Sequence, residues 1–363
     1  DRNKADAVYF KIGALKWLRR YAEAEKAFRD DPDVQTNLKV WSERANVFYE
    51  QKQFREAYLY ESGEVLEGRE LSEQQETLKE NLKTDTEARE WTSVALRKMR
   101  KLNEARAVMT DALTNLGRKT NFLGELGSIH YAERDYDKAI EYFDQAIEIN
   151  PYETFALQWR AASLRKQGNR DAAQAELKKA LDKVPYGTRL WEEAGWLAFD
   201  GEQFEEAIKH VDRATKLDPY VIARQFYKVE ALIRLDRADE ALDVIKKLDE
   251  RFPNDAEIME QRCWFHLRFG QLEAAKDQVM KLRASFPDTA LSLNALGGYE
   301  LAMRNSTGAA AAFREARNLV DYEPQYYVNH ASALLRQVKL PNEVGRLETP
   351  RRQELIAEAK EIC

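Results

Sequence analysis

Apolar and small residues recur along the chain with helical spacing, and the clearest stretch runs from Asn121 to Pro151. Leu123, Leu126, Gly127 and His130 fall at i, i+3, i+4 and i+7, which places them on one face of a helix. After a polar break at Glu133 to Asp135, Ala139, Ile140, Phe143, Ala146 and Ile147 form a second such face. Pro151 closes the stretch, because proline cannot continue a helix behind it. The pattern predicts a helix, a short turn, a second helix and a stop.

This unit repeats. The small residue that opens the second helix falls at Ala105, Ala139, Ala173, Ala207, Ala241, Ala275 and Ala309, always 34 residues apart. The closing proline falls at Pro151, Pro185, Pro219, Pro253 and Pro287, with the same interval. Two independent marks with one period indicate stacked supersecondary units. The residues resemble the tetratricopeptide repeat family, whose pattern is a large residue, Leu, Gly and an aromatic, then Ala, an aromatic, Ala and Pro. Leu123, Leu126, Gly127, Ala139, Phe143, Ala146 and Pro151 occupy those places, with His130 where the family has an aromatic. Trp191, Gly195, Ala207, Ala214 and Pro219 match in another copy. The resemblance covers nearly the whole chain. It implies an all-α, right-handed superhelical solenoid of antiparallel helix pairs, about nine to ten hairpins long.

The period sets the expected organisation. Residues 1–62 read as two N-terminal hairpins, 63–88 as a charged helical insertion or lengthened helices, 89–323 as seven in-register copies, and 324–363 as atypical capping helices. Register breaks between Ala57 and Ala105, which are 48 apart, 14 more than one period. Within the extra stretch, Ser72 followed by Glu73 and Glu76 suits a helix start. A lengthened surface helix pair is the favoured reading of this stretch. The alternative is an insertion that touches a partner. Near the C-terminus, a long loop through Leu340-Pro341 and Gly345 precedes a helix that starts at Thr349-Pro350.

Composition narrows the function more than the fold. Of 363 residues, 63 are acidic and 57 basic, a net charge of −6, which disfavours a nucleic-acid partner. No apolar run approaches the roughly 20 residues needed to cross a bilayer, so no membrane insertion is expected. Two cysteines do not indicate a disulfide framework. No signal-peptide core is visible, and the expected location is cytoplasmic. The first residue is not Met, and the apolar stripe Leu355, Ile356, Ala359 and Ile362 stops abruptly at Cys363. The sequence therefore reads as a module of a larger protein, with fusion to a further domain as one expectation.

Signatures of chemistry are missing. There is no phosphate-binding loop, HExxH, paired CxxC or GxSxG, so no enzyme activity, cofactor or metal is expected. Cys263 and His266 share a helix face, but they stand at buried pattern positions with no further ligand near in sequence, and core packing is favoured.

The resemblance implies that the first helix of each copy lines a concave groove, with its outward residues two, five, nine and twelve places into the copy. Those places and their neighbours hold Phe155, Gln158, Trp159, Arg165, Arg189, Glu192, Trp196, Phe199, Phe226, Tyr227, Glu230, Trp264 and Arg268. Aromatics and arginines dominate binding energy at interfaces, and such a strip suits an extended segment or an amphipathic helix of another protein. The competing reading packs these rings between adjacent copies. A Lys and Asn clamp for a chaperone's C-terminal carboxylate is missing, since the relevant places hold Gly124 and Ser128, Gln158 and Ala162, and Glu192 and Trp196. The expected function is non-catalytic recognition of a partner polypeptide. The alternative is a sensor arm of a larger signalling or defence enzyme.

Overall fold

A computed structural model describes residues 2–67, 71–339 and 349–362. The described residues are helical, with no strand, and the chain falls into two compact units, Asp1–Asp236 and Arg237–Cys363. The expected loop through Leu340-Pro341 and Gly345 lies outside the described residues.

In the first unit, α1 (Arg2–Trp17) pairs with α2 (Tyr21–Arg29), and α3 (Leu38–Glu50) with α4 (Phe54–Glu61). The single helix α5 (Glu73–Thr84) follows. Then come the pairs α6 (Thr86–Lys98) with α7 (Leu102–Leu116) and α8 (Thr120–Ala132) with α9 (Tyr136–Ile149). The pairs α10 (Thr154–Lys166) with α11 (Arg170–Lys183) and α12 (Thr188–Asp200) with α13 (Phe204–Leu217) continue the stack, and α14 (Ala223–Arg234) ends it. The second unit starts with α15 (Ala238–Arg251). It continues with the pairs α16 (Ala256–Arg268) with α17 (Leu272–Ser285) and α18 (Ala290–Ala302) with α19 (Ser306–Leu319), and ends with α20 (Pro324–Lys339) and α21 (Thr349–Ile362) packed on each other. The fold is an all-α solenoid of helix pairs.

First and second helices of a pair bury different amounts of themselves. Along α8, every residue from Phe122 to His130 is buried, so this helix is enclosed on nearly all sides. In α9 only Ala139, Phe143 and Ala146 are buried, one stripe of an amphipathic helix. The seven period-marking alanines are all at most 2% exposed, which lets the paired helices approach closely. His130 stacks flat on Tyr142, with ring centroids 5.3 Å apart, so it replaces the family's aromatic by packing like one.

The 14 extra residues do not lengthen neighbouring helices. They build α5, which starts with a capping box in which Ser72 and Gln75 exchange side-chain and backbone hydrogen bonds. Leu78 and Leu82 on its back face are buried in a core shared with Ile12, Val40 and Trp41.

The turn inside each hairpin ends its first helix with one left-handed residue. These fall at Arg19, Lys52, Arg100, Arg134, Gly168, Glu202, Gly270 and Arg304. The next amide then reaches back to a carbonyl of the last helical turn, as Asp135 N does to His130 O at 2.9 Å. In the turn at Asp200-Gly201 the left-handed residue is Glu202, not the glycine. Arg134 is exposed and bears the steric cost of this conformation at φ 66°. Arg134→Gly should therefore stabilise the chain by about 0.5–1 kcal/mol, the strain removed less the entropy glycine adds to the unfolded chain. A urea midpoint that does not rise would count against this.

Candidate functional site

The first helices of the first unit lie side by side, α6 beside α8, α8 beside α10 and α10 beside α12. Their junctions carry a recurrent pair. Residue 12 of one copy meets residue 6 of the next, and successive junctions alternate between ions and rings. Lys16 pairs with Glu43 at 2.8 Å. Tyr49 meets Trp91 edge to face, with centroids 4.9 Å apart. Arg97 pairs with Glu125 at 2.8 Å, and Glu125 also accepts from the Ser93 hydroxyl. Tyr131 meets Trp159 edge to face at 4.8 Å. Arg165 pairs with Glu193 at 2.7 Å and also with Asp200. The next junction departs from this register: Tyr227, at place 6, meets Trp196, at place 9, with centroids 3.7 Å apart, while the place-12 ring of Phe199 packs edge-on against Phe204.

These pairs correct part of the sequence reading. Arg165 is expected among the outward residues of the groove, but it is 8% exposed and clasps two carboxylates at a junction. In the second unit Glu260 is likewise buried and accepts from Asn294 Nδ2 at 2.8 Å. Phe155, Trp159, Trp196, Phe199, Phe226, Tyr227 and Trp264 are half-buried, so they do not form a solvated apolar strip. The expected face is the one on which these helices abut, and a neighbouring first helix covers part of Phe155, Trp159, Trp196, Tyr227 and Trp264. Phe155 packs where a side chain on Gly124 would stand, 3.1 Å from the position of its Cβ. In the second unit Trp264 fills the space that Gly298 leaves, 2.5 Å from where a Cβ would be.

Several expected residues do keep access to solvent. Arg189 is exposed, with its guanidinium 5.4 Å from the Phe155 ring centroid. Gln158, Glu192 and Glu230 are half-buried, and Glu230 pairs with Arg234 at 2.9 Å. Burial raises the Glu192 carboxyl above its usual range, opposed by Arg224, whose Nη2 lies 3.8 Å away. In the second unit Arg268 is exposed. Burial pushes the Tyr131 and Tyr227 phenols up to about 12, so both stay neutral hydrogen-bonding groups.

Sequence reasoning missed the junction code, although its signal is present as complementary residue types 28 apart: Arg97 and Glu125, Tyr131 and Trp159, Arg165 and Glu193. It also missed a row of exposed tyrosines, Tyr152, Tyr186 and Tyr220, each directly after a closing proline. Tyr220 meets Trp17 edge to face at 6.0 Å, so the first unit brings its first helix back to the loop before α14.

Cys263 is fully buried, and burial pushes its thiol up to about 12. His266 is only half-buried, and its Nδ1 lies 2.6 Å from Gln271 Oε1. Among the described residues no group of three or more His, Cys, Asp or Glu side chains is arranged to hold a metal, and no helix is long and apolar enough to cross a membrane.

Residues 121–153 and 160–222 each match the tetratricopeptide repeat profile. Tetratricopeptide repeats are present over these residues. A 105-residue stretch is 30% identical to the STIP1 homologue of Dictyostelium discoideum, covering 29% of this chain and 18% of that protein. Another, of 132 residues, is 27% identical to anaphase-promoting complex subunit 3 of Schizosaccharomyces pombe, covering 36% and 20%. The tetratricopeptide match thus spans about a fifth of the length of these curated relatives. Yeast Tom70 superposes with a TM-score of 0.56 at 15% identity, over 100% of this chain and 96% of that one, a likeness of fold.

Proposed function

We propose that this chain is a non-catalytic recognition module that binds a partner polypeptide along its first-helix face. The observation that carries the reading is the exposed Arg189 over the Phe155 ring, beside the half-buried pair Trp196 and Tyr227 with Glu192 next to it. Rings held by their neighbours lose little entropy on binding, and their free edges give affinity, while Arg189, Glu192 and Glu230 set register and on-rate. Gln158, Trp159, Phe199 and Phe226 complete this face in the first unit. Arg165 supports it from beneath rather than touching the partner. Trp264 and Arg268 offer a face of the same kind in the second unit. The subunit name of the fission-yeast relative supports a role in protein assembly.

The test is capture of partners by the purified chain, with helix content followed by circular dichroism. Trp196→Ala combined with Trp264→Ala should weaken capture at least about 30-fold, because each deletes a ring of the kind that contributes roughly 2 kcal/mol or more at interfaces. Arg189→Glu, a surface change, should weaken it while leaving the helices intact. Should Arg189→Glu bind normally and the double variant lose helix content, the rings serve only the core and the reading fails.

A further inference from the structure

The inserted helix α5 presents an unexplained polar face. Its back is fixed by Leu78 and Leu82, whereas Gln74, Thr77 and Asn81 line a cleft of about 460 Å³, opposite Asp33, Thr36 and Asn37. That volume falls in the range of small-molecule and peptide sites, roughly 300–1,000 Å³.

The lining selects an uncharged ligand. Asp33 is its one charged group, and Lys4 Nζ lies 2.9 Å from that carboxylate. The rest of the polar lining is carboxamide and hydroxyl. Among the described residues the exposed side chains of Gln74 and Asn81 make no hydrogen bond to another residue, so two hydrated amide groups at the cleft are free to exchange water for a ligand.

Spacing narrows the ligand further. Gln74 and Asn81 lie seven residues apart on one helix, a rise of about 10.5 Å. A polyproline II chain presents equivalent backbone groups every three residues, about 9.3 Å apart, and its carbonyls have no internal hydrogen bonds. Two carboxamides two helical turns apart therefore match carbonyls one polyproline turn apart to within about 1 Å. We propose that the cleft between α5 and the Pro32–Asn37 segment binds an uncharged polypeptide segment in the polyproline II conformation, with Gln74 and Asn81 donating to its carbonyls. This site is separate from the first-helix face and stands or falls independently of it.

The experiment uses the full chain with nitrogen-labelled Asn and Gln side chains. Acetyl-hexaproline-amide is the probe and maltotriose the uncharged polyol control. Hexaproline should shift the Gln74 and Asn81 side-chain amide signals and maltotriose should not. Gln74→Ala combined with Asn81→Ala, both exposed positions, should weaken hexaproline binding about tenfold, as expected for two lost hydrogen bonds. Unmoved amide signals at saturating hexaproline, maltotriose moving them instead, or undiminished binding by the double variant would each overturn the proposal.

Discussion

Arg165→Leu is expected to cost about 3–5 kcal/mol of folding stability, the usual consequence of leaving half of a buried ion pair behind. The Arg165 side chain is 6% exposed and that of Glu193 4%, so neither charge recovers much hydration when its partner is removed. Asp200 is 41% exposed and can return to water. The stranded charge is therefore that of Glu193. Removing both partners should restore most of the loss, because two apolar groups at the junction leave no buried charge. Arg165→Tyr with Glu193→Trp is the sharper rescue, since it copies the ring pair that Tyr131 and Trp159 already form one junction earlier.

The loss should depend on pH in a fixed direction. Burial raises the Glu193 carboxyl from 4.5 to about 7, against the pull of Arg165. A carboxyl raised in the folded state holds its proton more tightly there than in the unfolded chain. Its contribution is complete below the unfolded value of 4.5 and is lost as pH rises towards about 7. Deleting Arg165 removes the pull, so Glu193 protonates more readily still, and protonation relieves the stranded charge. Urea unfolding should therefore show a modest loss near pH 5 and the full loss near pH 8.5. A loss independent of pH, or Arg165→Leu with Glu193→Leu proving as unstable as Arg165→Leu alone, would mean that lost packing rather than charge is at issue.

The same junction explains what was legible in the sequence. The 34-residue period could be read because hairpin packing repeats one demand, a small residue at each close approach, as at Ala139 and Ala173. The face of each first helix could be read as well. What covers that face could not. Helical periodicity assigns Arg165 and Tyr131 to a direction, whereas their burial depends on a neighbour contributed by the next copy. Only a comparison of residue types 28 apart reveals that neighbour. The turns were half legible for a related reason. Gly168 and Gly270 mark their left-handed positions openly, but Arg134 and Glu202 adopt the same conformation because the helix end and its backward hydrogen bond impose it. The insertion announced its start at Ser72, but only the burial of Leu78 and Leu82 distinguishes a separate helix from lengthened neighbours.

Gly127→Ala should destabilise the chain by about 1–3 kcal/mol through overpacking, whereas Gly195→Ala at the equivalent place in a later copy should cost nothing measurable. A Cβ on Gly127 would stand 2.5 Å from Cε1 of Phe143, and that ring is fully buried with no room to retreat. A Cβ on Gly195 would meet Val211 Cγ2 at 3.3 Å, a gap that a small shift can open. Alanine also gains about 1 kcal/mol over glycine in a helix interior, which offsets the small shift at Gly195 but not the clash at Gly127. Behind the difference is a size exchange across each hairpin, between residues 16 apart. Gly127 faces Phe143 and Gly297 faces Phe313, while Gly195 faces Val211. The same interval pairs Ala161 with Leu177 and Cys263 with Val279. Where the second helix supplies a ring, the first must supply no side chain at all. Phe143→Val should accordingly rescue Gly127→Ala, a coupling that a double-mutant cycle on thermal unfolding would measure. Equal losses for Gly127→Ala and Gly195→Ala, or no coupling between residues 127 and 143, would show that the glycines are tolerated for backbone reasons and that ring size does not dictate them.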